Sequence, residues 1–186
     1  MTELIIILAI IFLPIIFCVA TYNAMIRLNQ MITESWSNVD TELRRRYDLI
    51  PNLVETVKGY AQHEREVFER IAQARATAVA NTGNPASQAQ DENKLVKELK
   101  TLFAVAEGYP QLKANQNFLK LQEELTNTED RIQAARRFYN ANVRDFNNKV
   151  LTFPSSLIAS MAGFNQKDYF EIETLDARKP VTVSLA

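Results

Sequence analysis

Cysteine and histidine each occur once in the 186 residues, and glycine only four times. A lone Cys excludes an internal disulfide framework and any Cys-based zinc site, and a lone His excludes a His-pair metal site. Scarce glycine, with six prolines, excludes collagen-like and low-complexity classes and argues against a turn-rich β fold. An excess of one charge is missing too: 21 basic residues face 22 acidic ones, for a formal net charge of −1. A chain without a basic stripe lacks the phosphate-neutralising contribution to binding, so no nucleic-acid partner is expected.

Reacting constellations are absent as well. The glycines stand apart at 59, 83, 108 and 163, so no Gly-rich phosphate loop exists. His63-Glu64 opens like the zinc-protease helix motif, but Val67 occupies the place of the second His. A carboxylate-bridged di-metal site in a bundle needs Glu-x-x-His, which does not occur. Acidic pairs such as Glu123-Glu124 and Glu129-Asp130 alternate with Arg131, Arg136 and Arg137 and read as a solvated helix face. These absences predict a non-enzymatic chain with no catalytic residue, no cofactor and no metal.

What is present in quantity is apolar. Residues 4–20 form an unbroken apolar run, LIIILAIIFLPIIFCVA. As a helix it spans about 25 Å, and extension to Tyr22 brings it near the ~30 Å hydrocarbon core of a bilayer. Pro14 is tolerated in such a span better than in a soluble helix. A cleaved signal peptide would need a basic start, but Met1-Thr2-Glu3 carries an acid; the run is also long for an h-region, and no A-x-A site follows. A lipoprotein reading of Cys18 meets bulky Phe17 where a small residue belongs. The expectation is an uncleaved anchor over residues 1–24 that meets membrane lipid through residues 4–22. No Lys or Arg precedes it, whereas Arg27 and then Arg44-Arg45-Arg46 follow. The positive-inside rule places the N-terminus outside and the large domain in the cytoplasm.

Beyond Tyr22 the apolar positions keep a helical period. Met25, Leu28, Ile32, Trp36, Val39, Leu43 and Tyr47 form one face that continues from the span without Gly or Pro. A break is expected at Ile50-Pro51, with Asp48 as the cap of a second helix. That helix carries Val54, Val57, Ala61, Phe68, Ile71, Ala74 and Ala78, and Asn81-Thr82-Gly83-Asn84-Pro85 ends it. A third, through Leu95, Leu99, Leu102 and Ala106, stops at Gly108-Tyr109-Pro110. The fourth has the strongest period, from Phe118 through Leu121, Leu125, Thr128, Ile132, Ala135, Tyr139, Val143, Phe146 and Val150 to Phe153. From Pro110 to Leu151 it would be roughly 60 Å long, a length suited to an elongated bundle. The fold class expected is all-α: an N-terminal transmembrane helix, then an elongated antiparallel long-helix bundle of about four helices over residues 25–153. Residues 154–186 add a short helix, 155–163, and an extended tail. The tail, 169–172 and 181–183, is β-rich in propensity and is either a disordered end or docked on the bundle or a neighbouring copy.

Two polar clusters are candidate partner or oligomer contacts. Trp36, Asp40, Arg44, Arg45 and Arg46 read either as an interhelical salt-bridge network anchored by Trp36, or as a basic collar. A straight helix puts Arg44 about 30 Å beyond the membrane end, past a Debye length of ~8 Å, so the collar suits protein better than lipid. The second cluster is Asn115, Asn117, Asn140, Asn142, Asn147 and Asn148, solvated or bonded across a helix interface.

The string from Leu43 to Tyr60, LRRRYDLIPNLVETVKGY, with Trp36-Ser37-Asn38-Val39-Asp40 before it, resembles the signature of the bacterial LemA family. A second block agrees, from Tyr109-Pro110-Gln111-Leu112 through Asn117-Phe118-Leu119 to Ala135-Arg136 and Tyr139-Asn140, as do Tyr22-Asn23 and Phe153-Pro154-Ser155-Ser156-Leu157-Ile158-Ala159. The resemblance covers essentially the whole chain. It implies a single-pass inner-membrane protein, N-terminus outside, with a long-helix bundle in the cytoplasm. The family has no established enzymatic activity or catalytic residues to carry over; members are often encoded near membrane-embedded zinc proteases, and related proteins belong to magnetosome membranes. The function expected is a membrane-anchored scaffold that self-assembles into a homo-oligomer, shaping membrane or organising membrane partners. The alternative is an accessory subunit for a membrane protease or sensor kinase.

Overall fold

The computed structural model describes residues 1–172 and Leu175, and the 181–183 part of the expected tail lies outside them. Six α-helices and no strand occur among the described residues: α1 (Thr2–Lys58), α2 (Arg65–Ala80), α3 (Pro85–Glu107), α4 (Pro110–Lys113), α5 (Gln116–Leu151) and α6 (Ser155–Ala162). The protein is all-α.

α1 runs unbroken for 57 residues. Its buried positions Val39, Leu43, Arg46, Ile50, Leu53 and Val57 step by four and three, the seam of a packed helix. The break expected at Ile50-Pro51 is therefore not there, and Asp48 is an interior helical residue and not a cap. The reason lies across the bundle. Pro51 has no N–H, which leaves the Tyr47 carbonyl without its helical donor. Arg75 Nε of α2 donates to that oxygen at 2.7 Å. The chain breaks instead after Lys58, and residues 59–64 are turns between α1 and α2. Glu64, an acid amid apolar positions, is the last residue before α2.

The chain divides into two compact units, and α1 and α5 contribute to both. Residues 38–137 form one, with the described residues from Phe170. α2 and α3 pack together there, closing over Ile71, Leu95, Leu99 and Leu102 with Leu125 and Ile132 from α5, all buried. Asn84 caps α3 by accepting from the Ser87 N–H at 2.8 Å, with Pro85 in the first turn, as N-cap chemistry requires. The expected helix from Pro110 to Leu151 is interrupted. α4 is a single turn, and Asn115 starts α5 by accepting from the Phe118 N–H at 3.0 Å. Of the two readings of the tail, docking is what its described residues show: Phe170, Ile172 and Leu175 are buried. The Glu171 carbonyl accepts from Asn93 Nδ2 at 3.3 Å, and that of Ile172 accepts from Arg136. The segment is extended and not a strand, because side chains rather than a neighbouring strand hold its carbonyls.

Residues 1–37 and 138–169 form the other unit. Trp36 of α1 packs on Tyr139 of α5 with ring centroids 5.2 Å apart. α6 forms as expected and ends at Gly163, whose φ of 74° is left-handed. Phe164 N–H then closes back on the Ala159 carbonyl at 2.9 Å, a Schellman-type stop. This turn delivers the Phe164 ring between Tyr22 and Phe146, 5.9 Å from each. Asn147 pins the following segment from both sides: its Nδ2 donates to the Lys167 carbonyl at 2.9 Å and its Oδ1 accepts from Lys167 N–H at 2.8 Å.

Candidate functional site

The arginine triplet does not act as one collar. Three successive residues on a helix point in three directions about 100° apart, and only one falls on the buried seam. Arg44 is exposed and donates from Nε to Asp40 at 2.8 Å; Arg45 is exposed and pairs with Glu42 at 3.4 Å. Both are local pairs of the sort that contribute little in water. Asp40, Trp36 and Asn140 are half-buried. Arg46, by contrast, has no exposed surface and is an internal group rather than a contact for a partner.

Arg46 is held in the interior by two carboxylates. Its Nη1 donates to Glu129 Oε1 of α5 at 2.8 Å, and its Nη2 donates to Glu92 Oε2 of α3. Tyr47 Oη also donates to Glu92, at the other carboxylate oxygen. Glu92 and Glu129 are 1% and 2% exposed. One guanidinium with two carboxylates leaves a formal charge of −1 sealed in the interior. Burial opposes the charge on Arg46, but attraction from Glu129 and Glu92 more than offsets it and raises the guanidinium pKa further. Burial and the neighbouring Glu92 charge likewise push the Tyr47 hydroxyl up, so it stays a neutral donor. The cluster ties α1, α3 and α5 together and has no exposed reacting atom. No group of three or more His, Cys, Asp or Glu side chains suited to a metal occurs among the described residues.

The reading of Glu129 as part of a solvated face is thus corrected, and Glu92 of α3 is the second buried carboxylate. The signal was present in the spacing. Glu92 precedes Leu95 and Leu99 by three and seven residues, and Glu129 lies between Leu125 and Ile132, so each occupies a core register of its helix. Arg46 does the same between Val39-Leu43 and Ile50-Leu53. Charges at core register on three helices are expected to find one another. The asparagines divide similarly. Asn142 donates to the Met31 carbonyl at 3.4 Å, Asn147 clamps Lys167, and Asn115 donates to Tyr60 Oη at 2.8 Å, whereas Asn117 and Asn148 are exposed.

The second feature is apolar. The N-terminal part of α1 is long and apolar enough to cross a membrane, and its large side chains from Leu4 to Val19 that are described are exposed. Where this segment ends, Cys18, Val19 and Tyr22 face Ile158, Met161 and Ala162 of α6 across a groove of about 350 Å³.

The LemA family model matches residues 35–185, most of the chain and every member of the buried cluster. The chain belongs to the LemA family. Among LemA-family relatives, magnetosome protein MamQ 2 of Paramagnetospirillum magneticum is 25% identical over 175 residues, 81% of this chain and 64% of that protein. MamQ of Magnetospirillum gryphiswaldense is 25% identical over 174 residues, 80% of this chain and 64% of the relative. Protein LemA of Metamycoplasma hominis is 26% identical over 157 residues, 83% of this chain and 72% of that protein. The chain therefore spans just under two thirds of the MamQ proteins it matches. With an apolar segment of membrane-crossing length, it is a membrane-associated member of the LemA family.

Proposed function

We propose that the chain is a non-enzymatic, membrane-anchored scaffold that self-assembles into a homo-oligomer, with the N-terminus outside the inner membrane and residues 25–186 in the cytoplasm. The observation that carries this reading is the continuity of α1. One helix without interruption supplies both the apolar segment and the core seam ending at Val57. Polar groups that are buried serve structure: Arg46 and its two carboxylates cross-link helices, and the asparagines clamp backbone. Surface for subunit contact is supplied by Leu119 and Phe138 of α5, each about half exposed. Relatives named as magnetosome proteins support a role at membranes and carry no reaction over to this chain.

The mass of the full chain in mild detergent tests the proposal. A discrete large species is expected, and monomer alone across the accessible concentration range would refute self-assembly. The adaptor reading, an accessory subunit for a membrane protease or sensor kinase, draws on the exposure of Arg44 and Arg45. Charge reversal at these two positions should then abolish recovery of the partner while leaving the fold intact, since neither side chain is internal.

A further inference from the structure

The groove between α1 and α6 has an apolar lining that the fold does not cover. Met161 is 90% exposed and Leu157 59%, and just before α6 Phe153 is 80% exposed and Leu151 59%. Such a cluster on one short stretch is not the ordinary scatter of surface apolar residues. Its position supplies the occupant. One wall of the groove is Cys18 and Val19, close to the end of the apolar run, with Tyr22 at the rim; the other wall is α6 itself. A surface continuous with a lipid-facing helix meets the same phase as that helix. α6 has the composition for it: Ala159 is its buried side, Ile158 is half-buried on the groove, and the bulky Leu157 and Met161 are exposed. The device that holds it there is also present. Gly163 reverses the chain and seats Phe164 against Tyr22, so α6 is fastened beside the end of the span. Amphipathic segments with this disposition lie in the headgroup and acyl boundary.

We propose that α6 and the preceding Leu151–Phe153 corner are a second membrane contact, a monotopic foot inserted into the leaflet on the domain's side, with acyl chains filling the groove beside Cys18 and Val19. The inference rests on the reading of residues 4–22 as a membrane span. The apolar phase would take up Phe153, Leu157 and Met161 together, giving the protein a footprint wider than one helix.

The test uses the full chain in phosphatidylcholine vesicles with brominated acyl chains. In a Cys18→Ala background, Val19→Cys, Met161→Cys and Val79→Cys each carry an environment-sensitive fluorophore; Val79, exposed on α2, is the aqueous reference. Strong quenching at both 19 and 161, with none at 79, is the expected result. Quenching at 19 without quenching at 161 overturns the foot and leaves the span standing. No quenching at 19 overturns the span and the foot with it. Efficient disulfide formation between unlabelled Met161→Cys chains, with no bromine quenching at 161, would mean that a second copy covers the groove, and this also overturns the proposal. Phe153→Cys repeats the measurement at an independent exposed site, so a local packing defect at one position does not decide the matter.

Discussion

Replacing Arg46 with methionine removes the cation from a cluster that is otherwise wholly interior. The side chain has no exposed surface, and its partners Glu92 and Glu129 are 1% and 2% exposed. The loss is therefore not that of a surface ion pair, worth roughly 0–1 kcal/mol. It strands two carboxylates in the core without compensation, and breaking a buried pair in this way costs about 3–5 kcal/mol. For a chain of this size, where 1 kcal/mol moves the midpoint by about 2–4 °C, the expected drop is on the order of 10 °C. Thermal unfolding of the full chain in mild detergent, followed by circular dichroism, reads it. The control is the triple variant Arg46→Met, Glu92→Gln, Glu129→Met, in which no charge remains and the amide still accepts from Tyr47. It should recover to within about 1 kcal/mol of the parent, since apolar replacements of buried ion triads are neutral or stabilising. A single Arg46→Met variant within about 1 kcal/mol of the parent would refute the reasoning, because the carboxylates would then have to be hydrated. A triple variant as unstable as the single one would show that packing rather than charge is what Arg46 supplies.

Three further outcomes are expected. Arg75→Met should cost about 1–2 kcal/mol by stranding the Tyr47 carbonyl, and much less in a Pro51→Ala background, where an N–H again reaches that oxygen; equal costs in a double-mutant cycle would separate Arg75 from Pro51. Gly163→Ala should cost about 1 kcal/mol, purely from the left-handed φ of 74°, because an added Cβ meets nothing within 4 Å; an unchanged midpoint would count against the turn. Burial, with Asp168 nearby, pushes the Tyr139 hydroxyl up to about 12, above its value of about 10 when unfolded. The unfolded chain therefore loses this proton first, so the contribution is fully present below about pH 10 and is lost as pH rises towards 12. Alkaline unfolding should begin in that window and be shallower in Tyr139→Phe; identical pH profiles would exclude Tyr139 as a source of the dependence.

Much of the site was legible in spacing that apolar counting alone overlooks. Counting only apolar residues finds Leu43, Tyr47 and Ile50 but leaves out Arg46, which is as deeply buried as they are. Glu92 and Glu129 sit at core register in the same way and look like ordinary surface carboxylates until register is weighed above charge. Pro51 misleads for a different reason. A helix breaker is defined by what it does to its own backbone, and the compensation comes from Arg75, 24 residues downstream on another helix. The start of α5 at Asn115 was readable as a cap, but the strong apolar period beyond it hid the interruption.

What this sequence determines by itself is whatever depends on neighbours a few residues away. Helical period, the apolar run of membrane-crossing length, the Asn84 cap, the Gly163 stop and the absence of reacting motifs all belong to that class. Tertiary structure decides the rest: that α1 continues through Pro51, that Arg46 lies between Glu92 and Glu129, that Asn147 holds Lys167, and that Phe170 and Ile172 dock as extended chain. The division is physical. A backbone conformation is selected by local sterics and hydrogen bonds, whereas a buried charge, a freed carbonyl or an unpaired tail is stable only once a group from elsewhere in the chain arrives to satisfy it.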